Sequence, residues 1–508
     1  MFKGQPKGLM AAALANMGER FGFYTMMAIL VLFLQAKFGL DGTNAGIIYS
    51  VFYALIYILA LVGGLIADKT RNYKGTILVG LFVMALGYLM IAIPTPTPVP
   101  NKTLFLIISC VGLFTIAFGN GLFKGNLQAL VGQMYDKPEY SKLRDSGFQL
   151  FYMFINVGAM FAPFVAKYVR ALWLAKNGFE YNPSLPSMCH QYLDGTLTAE
   201  GSVRLTELAA KVDLTGAFAG NMDGFVNSYL NSFVTGFHYA FGVAILTMLI
   251  SVGIFLINKH KLPDAKSKKD AAADAAARGE IQMDAKEVKQ RIYALFAVFA
   301  VVIFFWFSFH QNGLTLTFFA RDYTSLNLFG YNMAVEDFQS FNPLFVVFLT
   351  PVVIAIFGWL RAKGIEPSTP KKIAIGMLIA AIGFTVMALG SFGLPDSQSV
   401  TAMGSLPEAM KVTPFLLMGT YFILTVAELF ISPLGISFVS KVAPPQYQGL
   451  MQGGWLGATA LGNQLLFIGA IFYDNVPIWL TWSLFVVACV ISMGTMLFML
   501  KWLERVSK

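Results

Sequence analysis

The chain has 508 residues, of which 56% are hydrophobic and only 12% are charged. Apolar runs of about 18 residues or more recur, and each is long enough to cross roughly 30 Å of hydrocarbon. This composition excludes a soluble protein and predicts an all-α membrane protein, because the strands of a β-barrel are shorter and alternate in polarity. The net charge of +9 does not indicate nucleic-acid binding, since lysine and arginine collect in the cytoplasmic loops of membrane proteins.

Twelve transmembrane helices are predicted from the apolar runs. They span residues 8–36, 43–68, 74–94, 103–133, 147–173, 231–258, 289–320, 337–361, 371–392, 412–440, 447–472 and 477–502. Most of the 36 lysines and arginines fall in the segments that share a side with the N-terminus. This bias predicts a multi-pass protein of the inner cell membrane with both termini in the cytoplasm.

Two polar segments interrupt the series of spans. Residues 174–230 form an insert outside the membrane, with a short amphipathic stretch at 198–212, and we expect a small cap or packing element there. Residues 259–288 form a charged cytoplasmic linker. The linker separates two sets of six spans and predicts an N-terminal bundle at 1–258 and a C-terminal bundle at 289–508.

Four charged residues lie in the interiors of the predicted spans: Glu19, Arg20, Lys124 and Glu428. A charge at the centre of a bilayer costs roughly 2.5–3.5 kcal/mol, so such residues usually face a protein interior or a water-filled path. Two acids and two bases on separate spans are best explained by a shared cavity. A zwitterion would fit it, with a carboxylate near Arg20 and Lys124 and an amino group near Glu428. The alternative is a neutral network that only holds the helices together.

His310 is a further titratable residue within a span, and it follows an aromatic run at 304–309. Histidine can exchange a proton near physiological pH, which makes His310 a candidate for proton transfer. A neutral, hydrogen-bonded core histidine explains the sequence equally well. The three cysteines, Cys110, Cys189 and Cys489, are too scattered to indicate a disulfide framework or a metal site.

Several motifs resemble the proton-dependent oligopeptide transporter family (POT or PTR) of the major facilitator superfamily. Residues 16–24 (NMGERFGFY) are similar to the span-one motif E-x-x-E-R-F-x-Y-Y, and residues 151–158 (FYMFINVG) to the span-five motif F-Y-x-x-I-N-x-G. Further matches are the span-four Lys124, the stretch 305–313, Asn342 with the next proline, residues 428–435 and Trp455. The resemblance extends over nearly the whole chain and implies a major facilitator fold with twelve transmembrane helices in two six-helix bundles.

The resemblance also implies roles for single residues. Glu428 would bind the peptide amino group, with help from Asn342 and Asn156, whereas Lys124 and Arg20 would serve the carboxylate end. The side-chain pockets would be lined by Tyr24, Tyr57, Trp306, Ser432 and Trp455. Proton coupling would involve Glu19, Arg20, Lys124, His310 and Glu428.

The chain departs from the family pattern at proton-coupling and carboxylate-binding positions. The first glutamate of the span-one motif is Asn16, the first tyrosine of its pair is Phe23, and the arginine usual seven positions after Arg20 is Met27. An acid common in the span-seven motif is replaced by His310. We therefore expect Arg20 to pair chiefly with Glu19, and His310 or Glu428 to carry the coupled proton.

The sequence therefore predicts a proton-coupled symporter of di- and tripeptides that works by alternating access between the two bundles. It would not be an enzyme, would need no cofactor or metal besides the coupling protons, and would function in the lipid bilayer as a monomer. One alternative is a transporter of another amphoteric or anionic solute, such as a modified peptide or an amino-acid conjugate, with altered proton coupling. Another alternative is a membrane sensor or scaffold that does not transport.

Overall fold

The computed structural model describes residues 4–135, 139–140, 143–263, 284–444 and 447–506. Most of the predicted linker at 259–288 lies outside these residues. The helices are α1 Lys7–Phe38, α2 Gly42–Thr70, α3 Tyr73–Ala92, α4 Lys102–Met134, α5 Arg144–Lys176, α6 Leu185–Leu193, α7 Ala199–Val212, α8 Met222–Asn258, α9 Ala285–Phe309, α10 Thr315–Asp322, α11 Phe341–Ala362, α12 Thr369–Gly390, α13 Ser397–Met403, α14 Pro414–Val442, α15 Gln448–Gln464, α16 Leu466–Asn475 and α17 Ile478–Val506. A two-stranded hairpin pairs β1 Asn327–Leu328 with β2 Tyr331–Asn332.

Twelve spans in the described residues are long and apolar enough to cross a membrane, so the prediction of twelve helices is confirmed. The sixth span begins earlier than expected, at Met222 rather than at 231. Its first turns carry Asp223 and look like a loop, yet Phe225, Val226 and Tyr229 recur at helical spacing and are buried. Because the number of spans is even, both termini lie on one face of the molecule, which we call the terminal face. The opposite face carries residues 177–221, the insert, and we call it the insert face.

Short polar residues begin many of the helices. The carboxylate of Asp41 accepts a hydrogen bond from the backbone N–H of Asn44 at the start of α2, and Asn101 does the same for α4. Such caps satisfy backbone donors that lack a partner within the helix. These caps fix the first turns of the two spans where the chain re-enters the membrane.

The spans pack in the same pattern in each half of the chain. In the first half, α1 packs against α5 and α8, α2 against α4, and α3 against α4 and α8. In the second half, α9 packs against α15 and α17, α11 against α14, and α12 against α14 and α17. Each contact in the second half repeats one between the corresponding spans of the first, so the molecule consists of two similarly built six-helix bundles.

The two halves meet along two seams. The first seam joins α2 to α15 and α16, and the second joins α5 to α11 and to the 3-10 turn Val335–Ser340. Two spans of the second half are interrupted: span seven passes through a 3-10 turn at His310–Gly313, and span eleven breaks between α15 and α16. Irregular backbone within a membrane is tolerated where it is buried in protein, and both breaks border the space between the halves.

Candidate functional site

A cavity of about 60 Å³ lies between the halves, near the middle of the spans. The residues that line it are Tyr24, Met27, Tyr49, Tyr53, Asn156, Ala159, Pro163, Asn312, Gln339, Asn342 and Pro343. Of the predicted site residues, Tyr24, Asn156 and Asn342 line this central pocket directly. The first half contributes α1, α2 and α5, and the second half contributes both 3-10 turns and α11, so both seams border the pocket.

Glu428 stands on the second-half side of the pocket. The side-chain amide of Asn342 donates hydrogen bonds to Glu428 Oε2 at 2.8 Å and to Thr425 Oγ1 at 3.1 Å. Thr425 and Glu428 are on neighbouring turns of α14, whereas Asn342 is on α11, so the amide ties the two helices together. The contact orients the carboxylate, and among the described residues no hydrogen bond reaches its second oxygen.

Arg20 and Glu19 form a buried ion pair on the first-half side of the pocket. The amide of Asn120 on α4 also donates to Glu19 Oε1, at 2.9 Å. The guanidinium carbon of Arg20 lies 4.5 Å from the ring centroid of Phe23 and 6.0 Å from that of Tyr24. Arg20 is therefore committed to its neighbour, as expected for a chain that has the neutral Asn16 in place of a second glutamate.

Lys124 is a second basic residue on the first-half side of the pocket. Its Nζ lies 4.7 Å from the ring centroid of Tyr57, and no acidic group forms an ion pair with it among the described residues. The ring of Tyr57 is next to that of Tyr53, which lines the pocket, with 6.0 Å between centroids. An ammonium over an aromatic face keeps part of its electrostatic stabilisation while staying available to an anion.

His310 lies at the break of span seven, between two aromatic rings. Its ring centroid is 4.6 Å from that of Tyr53 and 4.8 Å from that of Trp306. Its Nδ1 is hydrogen-bonded to the side-chain oxygen of Asn463, next to the break of span eleven. Because Tyr53 belongs to the first half, His310 takes part in a contact between the halves.

Ser432 and Trp455 do not line the central pocket. Ser432 is one turn beyond Glu428 on α14. The ring of Trp455 packs against Gly435, and it fits there because glycine has no side chain. Trp455 is 3% exposed. Ser432 and the ring of Trp455 therefore lie beyond Glu428 along α14, outside the lining of the central pocket.

Sequence reasoning missed several pocket residues. Tyr49 and Tyr53 precede Tyr57 at intervals of four, which places all three tyrosines on one face of α2, and this spacing could have identified them. Gln339 donates to the hydroxyl of Thr317 at 3.1 Å. Gln339 lies in a short 3-10 turn, where no sequence periodicity predicts which way a side chain faces.

The expectation of four charged residues within the spans was incomplete. Arg170 on α5 and Glu336, just before α11, form an ion pair between the halves at 2.8 Å, with side chains 1% and 0% exposed. Beside them, Lys167 contacts Asp337 at 2.7 Å and donates to the backbone oxygen of Asn332 at 2.8 Å. These groups lie near the ends of the predicted spans 147–173 and 337–361, and the sequence analysis gave them no role.

The comparisons with known proteins identify the family. The model described as "POT family" matches residues 74–279 and 258–478. This chain belongs to the POT family. It is therefore a membrane transporter and not an enzyme, and POT transporters need no cofactor.

Individual relatives of this POT protein are similar over most of their length. The chain is 31% identical over 472 residues to "Peptide transporter YePEPT" of Yersinia enterocolitica, covering 91% of this chain and 87% of the relative. It is 26% identical over 523 residues to "Dipeptide and tripeptide permease B" of Xenorhabdus bovienii, covering 99% and 97%. The crystal structure of a peptide transporter POT in complex with sulfate superposes with a TM-score of 0.72 at 24% identity, covering 100% of this chain and 96% of that one. This likeness confirms the fold expected for the major facilitator superfamily.

Proposed function

We propose that this protein is a proton-coupled symporter of di- and tripeptides that works by alternating access. One observation carries the proposal: a basic and an acidic side chain lie behind opposite walls of the central pocket. Lys124 lies against Tyr57, next to the lining Tyr53 of the first half, and has no ion pair among the described residues. Glu428 is bonded to the lining Asn342 of the second half. A peptide in its zwitterionic form offers the complementary charges at its two ends. The names of the relatives, which specify peptides, dipeptides and tripeptides, support the same substrate class.

Glu428 would hold the peptide amino group, with Asn342 fixing the carboxylate and Asn156 donating to the peptide backbone from α5. Lys124 would meet the carboxylate end. Arg20 would strengthen the positive potential on that side while its own charge stays paired with Glu19. The remaining residues with a binding role are Tyr24, Tyr57, Trp306, Ser432 and Trp455, which would accept the substrate side chains.

Alternating access fits the way in which the halves are joined. The described hydrogen bonds between the halves lie from the middle of the spans to the insert face, including the contact of Thr43 with Asp474 at 2.7 Å and that of Lys167 with Asp337. The insert face is closed in this conformation. Substrate would enter through the insert face after the halves rock apart there, and leave through the terminal face.

Proton coupling would depend on Glu428 and His310. Protonated Glu428 cannot serve as an anion for the peptide, so its titration is directly linked to binding. His310 contacts an aromatic ring of each half and is bonded to Asn463, so a second proton on its ring would change a contact between the halves. Either residue gives a proton the differential interaction with two conformations that a coupled carrier requires.

Uptake of a labelled dialanine peptide into liposomes tests the proposal. We expect accumulation that requires an inward proton gradient and that falls at least about tenfold in Glu428→Gln, since a charge-assisted contact contributes about 1.5–3 kcal/mol. Glu287→Gln serves as the control, because Glu287 is half-exposed and pairs with Arg291 in the same half. Uptake that persists unchanged in Glu428→Gln would contradict the role of the carboxylate.

His310→Gln separates coupling from binding. Glutamine can keep a hydrogen bond to Asn463 but cannot carry the proton, so we expect gradient-driven accumulation to be lost while exchange of labelled for unlabelled peptide persists. Accumulation that stays intact would assign the coupled proton to Glu428 and exclude His310.

A second substrate class is favoured by Met27, which lines the pocket with a thioether and no charge. Position 27 therefore supplies no second cation beside Lys124 for a carboxylate. A solute with a weaker or displaced carboxylate, such as a modified peptide or an amino-acid conjugate, would lose less binding free energy here than in a pocket with two cations. A binding screen of dipeptides against their C-terminal amides tests this. Equal affinity for both would favour the second class.

The setting proposed for the transporter is the inner cell membrane, with both termini in the cytoplasm and a single chain as the working unit. Each chain has a complete pocket between its own two halves, which supports the monomer. Protease accessibility of either terminus in oriented vesicles and the mass of the detergent-solubilised particle would test this arrangement.

A further inference from the structure

The insert forms a small folded unit that is firmly attached to the first half. Its buried side chains include Phe179, Leu185, Met188, Cys189, Leu205, Leu208, Ala209 and Val212. Tyr192 donates to Asp223 of α8 at 2.9 Å, and the hydroxyl of Tyr229 on α8 accepts from the backbone N–H of Asn182 at 2.9 Å. A ring nitrogen of His190 contacts the backbone oxygen of Ala36 at the end of α1. The insert therefore moves with α1 and α8.

The same unit also reaches the second half. Helix α7 packs against α13, and Arg204 Nε donates to Ser405 Oγ at 2.9 Å. The hydroxyl of Thr198, at the start of α7, contacts the backbone oxygen of Ala402 at 2.5 Å. At Gly404, whose φ is +83°, an added Cβ would lie 2.5 Å from Met188 Cε, so the backbone of the second half passes close to α6. Lys211 also interacts electrostatically with Glu408.

The two attachments differ in strength. A core of apolar side chains joins the insert to the first half, whereas two hydrogen bonds and one close van der Waals contact join it to residues 402–405. When the insert face opens, its two sides must separate by more than the reach of a hydrogen bond. The contact with 402–405 is then the one that breaks.

We propose that α7 is a latch, which closes on residues 402–405 and stabilises the conformation in which the insert face is shut. This inference rests on the alternating access proposed above. The latch sets the balance between the two conformations, because two surface hydrogen bonds favour one state without locking it. The insert thereby regulates how often the pocket becomes accessible from its face.

Reversible cross-linking tests whether the latch must open during transport. In a cysteine-free background that retains uptake, Arg204→Cys with Ser405→Cys would be bridged by a short, reducible bis-methanethiosulfonate. We expect peptide uptake to stop and to return when the bridge is reduced. The matched control, Tyr192→Cys with Asp223→Cys, bridges the insert to its own half and should leave uptake unchanged. Full uptake with the 204–405 bridge in place would overturn the proposal.

A second measurement does not depend on the substrate. Spin labels at Lys102→Cys and Met410→Cys would report the distance across the insert face in lipid nanodiscs. We expect Arg204→Ala to raise the ratio of open to closed molecules about five- to tenfold, and Thr206→Ala, which removes an exposed hydroxyl bonded only within α7, to leave it unchanged. An unaltered distribution in Arg204→Ala would overturn the latch even if no peptide were transported. Failure of peptide uptake in the parent protein with a shifted distribution would overturn only the proposed substrate.

Discussion

Charged side chains from the two halves are paired with each other at the insert face, whereas at the central pocket they lie on opposite sides without an ion pair. Arg170 and Glu336 are in contact and almost completely buried. Lys124 and Glu428 instead have an aromatic ring and an amide as neighbours. Each pair has one basic and one acidic side chain, but the two pairs do different things. Arg170 and Glu336, the closed pair, hold the halves together. Lys124 and Glu428, the open pair, are separated and would bind a ligand that carries the opposite charges.

The largest effect is expected where the closed pair is broken. Glu336→Gln would leave the buried guanidinium of Arg170 without its carboxylate, which costs about 3–5 kcal/mol in comparable cases. We expect a large fall in the unfolding temperature of the purified protein, measured in detergent. The double variant Arg170→Met with Glu336→Leu removes both charges and should recover most of the loss. A single variant as stable as the parent would show that the pair adds nothing to closure.

Removal of Lys124, the cation of the open pair, should weaken peptide binding and leave the stability of the protein almost unchanged. In Lys124→Met the protein without substrate loses a buried charge that forms no ion pair among the described residues, so we expect its stability to stay the same or rise by about 1 kcal/mol. Peptide binding should weaken at least about tenfold, as measured by calorimetry or uptake. The matched variant Arg20→Met breaks the ion pair with Glu19 and should lower stability instead. Equal destabilisation by both substitutions would mean that Lys124 is also a structural charge.

A smaller effect is expected at the seam between α2 and α16, where the halves are joined by hydrogen bonds to one carboxylate near the surface. Asp474 accepts hydrogen bonds from the backbone N–H of Thr43 at 2.7 Å and from its hydroxyl at 2.8 Å, at the start of α2. Asp474→Ala should cost about 1–2 kcal/mol and favour opening of the insert face. Alkylation of a cysteine placed at Ala470, which is buried against Gly46 of α2 across this seam, would report that opening. Thr43→Ser keeps both donors and should behave as the parent does.

Much of the fold was predictable because the hydrophobic effect acts on the sequence locally. Each span is an apolar run of membrane length, and several spans begin at a polar cap such as Asp41. The start of α8 was misplaced because Asp223 and Asn227 face away from a buried side that their polarity conceals. The break at His310 could not be predicted, since it depends on a partner, Asn463, that is distant along the chain.

The pocket was predictable only in part. A charge inside an apolar run is recognisable in the sequence because its insertion into the membrane costs free energy. Lys124 and Glu428 were found in this way. The ion pair of Arg170 with Glu336 was missed because its residues are near span ends, where burial depends on how the halves close. The roles of Gln339 and Asn312 arise from irregular turns and from contacts between elements far apart in sequence.

The smallest effect is expected for a charge cluster that lies within one half and in contact with water. Glu366, in the connection between α11 and α12, accepts hydrogen bonds from Arg361 Nε at 2.7 Å and from Lys372 Nζ at 2.6 Å, and these two cations lower its pKa to about 2. A carboxylate with a lowered pKa stabilises the fold fully above its ordinary pKa of roughly 4.3, and this contribution is lost as the pH falls towards 2. Glu366→Gln should therefore lower stability by less than about 1 kcal/mol at pH 7 and by still less at pH 3. Unfolding temperatures at the two pH values, with the exposed Glu180→Gln as baseline, measure the difference. A deficit that grows on acidification would reverse the sign and show that the cluster acts through packing instead of charge.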